Sequence, residues 1–298
     1  MILRILILLG PTLLAANPAP PNIVLCMADD QGWGDTGYNG HPVLRTPHLD
    51  QMAKDGIRFE RFYAAAPVCS PTRGSCLTGR HPYRYGIPYA NTGHLKKKEI
   101  CLAEVLKEKG YRTGQFGKWH LGTLTTKIKD ANRGRPGNTK DYALPSQNGF
   151  DVYFSTESKV PTFWKKSDYE RYGTHYWTGP EEMVPASEIN GDDSKLIMDR
   201  ALPFIREAAE KETPFFTVIW FHAPHLPVVS APPYTDGYTE HKDYYGCLTA
   251  LDEQMGRLRA ELDKLDVADN TMVLYFSDNG TEGNDKAPGS TNQLRGRK

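Results

Sequence analysis

The sequence CSPTRGSCLTGR, at residues 69–80, is the stretch to which the other motifs of the chain relate. Ser70 is a residue type that caps helices, Pro71 suits a first helical turn, and Gly79 suits the end of the same helix. The stretch therefore predicts a helix with the Cys69 thiol beside its amino terminus, where free backbone N–H groups attract anions.

Two interpretations of Cys69 stay open on this stretch alone. Arg73 would lie in the opening turns of the helix and add a planar cation to the positive region, which makes the thiol a candidate nucleophile. The alternative is a buried structural cysteine at a helix start, which is the commoner situation for a single cysteine.

Short apolar runs alternate with helical patterns through most of the chain. The run at 22–28 has no polar alternation, which is typical of a strand buried on both faces. The alternation predicts an α/β fold with a largely parallel central sheet flanked by helices. Residues 122–191 show little pattern and are expected to run over the surface and shape a pocket. The other predicted strands are 57–63, 111–117, 215–221 and 271–276, and the predicted helices are 47–56, 100–109, 192–211 and 241–265.

Polar side chains follow four of the predicted strands, at the point where each strand ends. Ligands bind outside the carboxyl ends of the strands in such sheets. The sequence therefore predicts one site built from four strand ends. Its candidate residues are Asp29, Asp30, Lys118, His120, His222, His225, Asp278 and Asn279.

The carboxylates and the amide in this set are hard oxygen ligands, which suit Ca²⁺, or less well Mg²⁺, better than zinc. A divalent cation would also relieve the repulsion between adjacent carboxylates. An Asp-Asp pair is more often part of a solvated loop or cap, and the second acidic position at another strand end favours the metal. The predicted ligands are Asp29, Asp30, Asp278 and Asn279.

Two histidines and a lysine are candidates for proton transfer. His225 lies between two prolines, which restrict the backbone and direct the imidazole. Lys118 and His120 are separated by one residue, so on an extended backbone they would share one face. A cation and an imidazole on one face can bind an anionic group and exchange a proton with it. The alternatives are a structural histidine and ordinary surface charges at a strand end.

The motif C-x-P-x-R, with x-x-x-L-T-G-R after it, resembles the signature of the type I sulfatases, in which this cysteine is converted to Cα-formylglycine. Other blocks resemble the same family, in its order, over essentially everything after the leader. They read PNIVL at 21–25, DDQGWGD at 29–35, TPHLD at 46–50, GKWHLG at 117–122, APHLP at 223–227 and SDNG at 277–280. Within the family, the pattern is similar to arylsulfatases and N-acetylgalactosamine-6-sulfatases.

The resemblance implies an alkaline phosphatase/sulfatase-like fold and the release of inorganic sulfate from a sulfated carbohydrate or an aryl sulfate. It implies that a formylglycine-generating maturase converts Cys69 to 3-oxoalanine. It also implies that calcium binds the four predicted ligands, with the modified Cys69 touching the ion.

The resemblance implies a role for each remaining candidate. Calcium and Arg73 would stabilise the attacking oxygen, and Lys118 and Lys298 would hold sulfate oxygens. His225 or Lys118 would protonate the leaving alcohol, and His120 would position the second hydroxyl and take its proton.

Three other functions stay open at this point. A phosphate ester hydrolase of the same superfamily would use Ser or Thr and two zinc ions, and Asn279 replaces a histidine zinc ligand poorly. A phosphonate ester hydrolase with formylglycine is the related alternative. The third function is an inactive homologue that binds sulfated glycans, and the intact Cys69 argues against it.

Lys and Arg total 36, as do Asp and Glu, so no global field draws the chain to nucleic acid or to a membrane surface. The basic start at 1–4 and the apolar run at 5–14 predict a signal peptide over 1–16, a spacer at 17–21 and a catalytic domain at 22–298. The apolar run is too short for stable membrane insertion. An apolar N-terminal strand is the alternative. We expect export to the periplasm or the medium, and the five cysteines specify no pairing.

Lys298 ends the segment LRGRK at 294–298, which is similar to the family's L-R-G-x-K segment, although Arg297 stands where glycine is frequent. Family members continue beyond this lysine. The resemblance therefore leads us to expect that the C-terminal part of the enzyme is missing from the chain. We expect exposed apolar surface and an open sheet edge, and a chain that alone is aggregation-prone and at most weakly active.

Overall fold

The computed structural model describes residues 19–165, 168–283 and 288–298. The predicted signal peptide, residues 1–16, and the first part of the spacer lie outside these ranges. Within the described ranges, no helix combines the length and the apolar character that crossing a membrane requires.

Strands and helices alternate along the described chain, as the apolar pattern predicts. The strands are β1 (Asn22–Ala28), β2 (Arg112–Lys118), β3 (Val152–Thr156), β4 (Phe163–Trp164), β5 (Tyr176–Gly179), β6 (Glu182–Met183), β7 (Gly191–Asp192), β8 (Phe215–Trp220) and β9 (Thr271–Ser277). The α-helices are α1 (Pro47–Asp55), α2 (Cys69–Thr78), α3 (Pro82–Tyr85), α4 (Leu102–Glu108), α5 (Tyr169–Tyr172), α6 (Asp193–Glu210) and α7 (Lys242–Lys264).

Seven strands form one sheet in the order β6-β5-β3-β2-β8-β1-β9. The pairs from β3 to β9 are parallel, whereas β5 pairs antiparallel with both β3 and β6. The interior strand β8 is buried along its whole length, as its sequence FFTVIW predicts for a parallel strand covered on both faces. The predicted α/β fold with a largely parallel sheet is confirmed.

Two apolar cores lie on opposite faces of this sheet. Val24 and Cys26 of β1 belong to the core that α6 and α7 cover. Leu25 and Met27 belong to the other core, together with Leu77 of α2. This alternation follows from the two-residue period of a strand. Because both faces of β1 are apolar, its polar neighbours lie beyond the strand end.

Two expectations about the strands are wrong. Residues 57–63 form no strand, and Ile57 is 83% exposed. Apolar composition gives a strand only where a neighbouring strand offers hydrogen bonds and packing, and no described strand pairs with this segment. Residues 122–191 are more than a surface excursion, since β3, β5 and β6 extend the sheet. These strands have two to five residues, which is too short for a clear periodicity.

The helix predicted over 100–109 is shorter in the structure. Its first helical residue is Leu102, and Cys101 is the N-cap. The backbone N–H of Cys101 donates to the Glu104 carboxylate at 2.8 Å. This capping-box contact fixes the start of the helix after Cys101.

Strand β9 lies at one end of the sheet, next to β1. Met272 of β9 is 49% exposed. The ring of Phe62 lies 6.0 Å from the ring of Phe276, measured between centroids. The exposed apolar segment 57–63 therefore reaches β9, and the two form an apolar surface at this end of the sheet.

Gly117 provides a test of the packing between β2 and β8. It has a φ of +98°, and a Cβ at this position would lie 2.0 Å from the carbonyl oxygen of Trp220. We expect Gly117→Ala to lower the free energy of unfolding by about 3 kcal/mol or more, because backbone strain and a clash with the next strand add. Urea denaturation measures this loss.

Gly137→Ala is the matched control for that substitution. Gly137 has a φ of +77°, but a Cβ there would meet no atom within 4 Å. Only the backbone strain remains, which costs about 1 kcal/mol. Equal losses in the two variants would contradict the proposed clash.

Candidate active site

Cys69 is the first residue of α2, and Val68 is the N-cap. The expectation that Ser70 caps this helix is wrong, because its hydroxyl lies within the helix and donates to the carbonyl of His120 at 2.7 Å. Gly79 ends the helix with a φ of +64°, as predicted. Burial raises the pKa of the Cys69 thiol to about 12. The unmodified thiol is therefore protonated at neutral pH and is a poor nucleophile.

Arg73 joins the ends of two strands that are far apart in sequence. Its Nη2 lies 3.1 Å from Asp278 Oδ2 and 3.4 Å from Asp29 Oδ1, and all three side chains are fully buried. Lys118 Nζ, at the end of β2, donates to Asp29 Oδ2 at 2.6 Å. The ends of β1, β2 and β9 therefore meet in one buried ionic cluster.

Lys298 brings the described end of the chain to the same cluster. Its Nζ lies 2.8 Å and 2.9 Å from the two carboxylate oxygens of Asp30, and 3.1 Å from Cys69 Sγ. Although burial disfavours its charge, Asp29, Cys69 and Asp30 raise the pKa of Lys298. The Lys298 ammonium therefore stays charged beside the sulfur of Cys69.

The three carboxylates do not ionise equally. Burial opposes charge on Asp29, but Lys118, His225, Arg73 and Lys298 hold its pKa well below the usual range. Burial and the charge of Asp29 raise the pKa of Asp30. The same two causes raise the pKa of Asp278 to about 8, against the opposing effect of Arg73. An additional cation would lower both raised values, so the cluster has unsatisfied capacity for positive charge.

The residues present fit a hard divalent cation. Ligand atoms of Asp29, Asp30, Asp278 and Cys69 all lie within 4.8 Å of one another. In the described chain, Asp29 Oδ1 and Asn279 Oδ1 are buried and have no hydrogen-bond partner. Asn279 Nδ2 donates to Asp30 Oδ1 at 2.7 Å, so the amide oxygen is the atom that remains available. Carboxylate and amide oxygens suit Ca²⁺ or Mg²⁺.

His225 lies at the edge of this cluster, in the loop that follows β8. Its Nδ1 is 2.6 Å from the carbonyl oxygen of Leu226, so Nδ1 carries the proton and donates. Its Nε2 lies 3.6 Å from Asp30 Oδ2. Burial, together with the charge of Lys118, lowers the pKa of His225 well below its usual value, against the opposing effect of Asp29. The imidazole is therefore neutral, with its unprotonated nitrogen near Asp30.

The sequence pattern predicts that His120 and Lys118 share one face of an extended backbone, and this prediction is wrong. The φ of His120 is +56°, so the backbone turns after β2. His120 Nε2 lies 2.7 Å from Asn91 Oδ1, and its Nδ1 is buried without a hydrogen-bond partner in the described chain. Asn91 Oδ1 also accepts from Asn132 Nδ2 at 2.7 Å, so His120 Nε2 carries the proton. Burial and the charge of Lys118 lower the pKa of His120 well below its usual value, and Nδ1 is therefore an unprotonated acceptor.

His222 has a different environment from His225. Its Nδ1 lies 2.7 Å from Asp193 Oδ2 and its Nε2 lies 2.8 Å from Thr156 Oγ1. Both ring nitrogens are therefore used within the protein. His222 holds the end of β8 against α6 and β3, and it offers no nitrogen to a ligand.

Sequence reasoning missed the residues that orient His120. Asn91 and Asn132 come from loops without apolar periodicity, and neither belongs to a motif. Asn91 has a φ of +61°, a conformation that asparagine adopts more readily than most residues. This backbone tolerance is the one signal in the sequence that could have indicated a turn at this position.

The sequence has known relatives in the sulfatase family. Residues 21–298 match the family model of the sulfatases. The N-acetylgalactosamine-6-sulfatase of Rattus norvegicus is 34% identical over 303 residues, which cover 94% of this chain and 53% of the relative. The ulvan-active sulfatase of Formosa agariphila is 31% identical over 290 residues, which cover 89% of this chain and 51% of the relative. The chain thus spans about half the length of the curated relatives that it matches.

Solved structures show the same similarity. The crystal structure of Ps i-CgsB in complex with k-i-k-neocarrahexaose matches with a TM-score of 0.74 and 27% identity. The match covers 88% of this chain and 59% of that one. It extends the sequence similarity to the arrangement of the sheet and its helices.

Asn91→Ala tests the assignment of the His120 proton. The substitution removes the acceptor of the Nε2 proton, so we expect the preference for the Nε2-protonated form to weaken and the free energy of unfolding to fall by about 1 kcal/mol. Imidazole nitrogen shifts in NMR spectra report the first effect. Thr92→Ala, in the same exposed loop, should change neither quantity. A wild-type His120 that carries its proton on Nδ1 would contradict the assignment.

Proposed function

The chain belongs to the sulfatase family, and from that premise we propose that it hydrolyses sulfuric esters of carbohydrates or aryl alcohols and releases inorganic sulfate. The observation that carries the proposal is the contact of Lys298 Nζ with both Cys69 Sγ and the Asp30 carboxylate. The three groups that the proposal requires, a cation for the sulfate, a cysteine to be modified and carboxylates for a metal, thus lie in contact with one another, which supports the proposal.

Cys69 is proposed as the precursor of formylglycine, made by a maturase that reads C-x-P-x-R. The raised pKa of the thiol argues against direct attack by a thiolate. When formed and hydrated, the aldehyde supplies two hydroxyls on one carbon, one that attacks sulfur and one whose deprotonation lets sulfate leave. The position at the start of α2 would add the helix N–H groups to the stabilisation of negative charge.

Calcium, or less favourably magnesium, is proposed to bind Asp29, Asp30, Asp278 and Asn279. When bound by these residues, the ion would supply positive charge to the attacking oxygen and to the sulfate. It would also compensate the charge of Asp30, which now contacts Lys298. Lys298 would then be free to contact a sulfate oxygen, together with Lys118.

The remaining residues are proposed to stabilise charge and move protons. Arg73 lies between Asp29 and Asp278 and would hold the first turn of α2 and the developing negative charge in place. His120 would accept the proton of the second hydroxyl, since its Nδ1 has no hydrogen-bond partner among the described residues. His225 or Lys118 would protonate the leaving alcohol. The approach of an anionic sulfate raises the pKa of a nearby imidazole, which favours the protonated, acidic form of His225.

We also propose that residues 22–298 form the catalytic domain and that residues 1–16 direct export. The basic and apolar residues of that segment support the export proposal. The substrate would then be a sulfated compound outside the cytoplasm.

The identity of the nucleophile is testable by mass spectrometry after co-expression with a maturase. We expect the peptide that contains Cys69 to lose about 18 Da, the change from a CH₂SH to a CHO side chain. Cys69→Ala should abolish the hydrolysis of p-nitrophenyl sulfate, and Cys76→Ala, in the same helix, should retain it. Full activity in a protein with an unmodified Cys69 thiol would refute the mechanism.

The metal is testable by elemental analysis of the purified protein. We expect one calcium ion per chain, and we expect Asp29→Ala to lower both the calcium content and the activity because it removes a central buried carboxylate. Asp269→Ala removes an exposed carboxylate that precedes β9, at the other end of this strand from Asp278, and should change neither. Two zinc ions per chain, with activity that only zinc chelators abolish, would instead indicate a phosphatase-like site.

A further inference from the structure

Beyond the sulfate site, we propose a second anion-binding site at Arg135, which takes a carboxylate or sulfate on a sugar next to the one that is hydrolysed. The proposal rests on the proposed sulfatase function and names its substrate class, a glycan chain with more than one acidic group. The site would lie on two loops beside His120, residues 91–98 and residues 126–140.

A continuous set of hydrogen bonds connects the second loop to the candidate active site. His120 Nε2 donates to Asn91 Oδ1 at 2.7 Å, and Asn132 Nδ2 donates to the same oxygen at 2.7 Å. Asn132 Nδ2 also lies 2.8 Å from Ser158 Oγ. Asn132 is exposed, so these contacts run from a buried catalytic candidate to the protein surface within three residues.

Arg135 is held directly beside Asn132. Its Nη2 donates to the carbonyl oxygen of Asn132 at 3.2 Å, and its Nε lies 3.5 Å from the carbonyl oxygen of Arg133. These contacts orient the guanidinium but do not neutralise it. Arg135 is exposed, and it forms no salt bridge with any carboxylate of the described chain. An oriented guanidinium with free donors can bind a carboxylate or sulfate through two parallel hydrogen bonds.

The neighbouring Arg133 differs from Arg135 in its partner. Arg133 is buried, and Glu157 Oε1 accepts from its Nε at 3.0 Å and from its backbone N–H at 2.9 Å. Glu157 Oε2 accepts from the backbone N–H of Gly134 at 3.1 Å. The Glu157 carboxylate therefore neutralises Arg133 and fixes the backbone that presents Arg135. Arg133 is thus paired within the protein, whereas Arg135, two residues later, forms no salt bridge in the described chain.

The two loops carry a local excess of positive charge, although the whole chain is neutral. Asp130 is the one acidic residue in the two loops, and it is buried, with its oxygens accepting from His175 and Trp177. A local cluster of this kind raises the concentration of polyanions near the site. The exposed cations of the loops that form no salt bridge in the described chain are Lys96, Lys97, Lys98, Lys127, Lys129, Arg135 and Lys140.

A substrate with a single anionic group would not use this site. Its sulfate would contact the buried cluster of Lys118 and Lys298, and an aryl group carries nothing for Arg135 to bind. A glycan with a second acidic group would contact both regions at once, so Arg135 would affect binding of the polyanion alone.

The test measures binding and turnover in the same full chain. Isothermal titration calorimetry gives the Kd of two probes, a short dextran sulfate oligosaccharide and inorganic sulfate, and p-nitrophenyl sulfate gives the turnover. The variants are Arg135→Gln, Arg135→Lys and the control Lys264→Gln. Lys264 is exposed and ends α7 before β9 begins, at the opposite edge of the sheet from the candidate active site.

We expect Arg135→Gln to weaken dextran sulfate binding about fivefold to tenfold, which is the effect of one exposed charge-assisted contact. The dextran sulfate Kd of Arg135→Lys should lie between those of Arg135→Gln and the wild type, because lysine keeps the charge and loses the paired donors. The Kd of inorganic sulfate and the turnover of p-nitrophenyl sulfate should stay within twofold in every variant.

Unchanged dextran sulfate binding in Arg135→Gln, or an equal loss in Lys264→Gln, would overturn the inference. A failure of the proposed sulfatase function would give a different result from a failure of the Arg135 inference. In that case no protein would hydrolyse p-nitrophenyl sulfate, while the binding differences between the variants would still report on Arg135.

Discussion

The structure depends on the burial of the Arg73 guanidinium between Asp29 and Asp278. Burying an ionised group is strongly unfavourable unless a partner compensates its charge. Arg73 has that compensation because β1 and β9 lie side by side in the sheet and end at the same level, with Ala28 opposite Ser277. Its guanidinium also lies 5.2 Å from the centre of the Trp220 ring at the end of β8. The fold and the site are therefore mutually dependent, since α2 can be anchored only where these strand ends meet.

The side-by-side position of β1 and β9 also explains why the candidate site assembles from residues far apart in sequence. The backbone N–H of Asp30 donates to Asp278 Oδ1 at 3.1 Å, across 248 positions of the chain. A parallel sheet brings the carboxyl ends of its strands to one edge. Like charges then accumulate there, which raises the pKa values of Asp30 and Asp278. This unfavourable state is what a bound cation would relieve.

Much of the fold and of the candidate site is predictable from the sequence, and the exceptions have physical causes. The strands β1 and β8 are long apolar runs, and such runs are buried wherever they lie in an α/β fold. The short strand β3 needs β2 beside it to form, and its own sequence does not specify that neighbour. His120 shows the same limit, because its left-handed backbone and its contact with Asn91 depend on a loop 29 residues earlier. Local patterns predict which residues gather at the sheet edge, but they do not predict how a loop orients them.

The loop DQGWGD shows how one motif can serve two parts of the site. The Asp35 carboxylate accepts from the backbone N–H of Ser290 at 2.7 Å and from the hydroxyl of Tyr244 at 2.7 Å. A Cβ on Gly32 would lie 2.3 Å from the carbonyl oxygen of Ser290, so the segment that carries Ser290 can approach only a glycine there. This segment leads to Lys298, and the loop itself begins at the predicted metal ligands. The glycine and the aspartate of the motif therefore tie the segment that leads to Lys298 to the loop that begins at the predicted metal ligands.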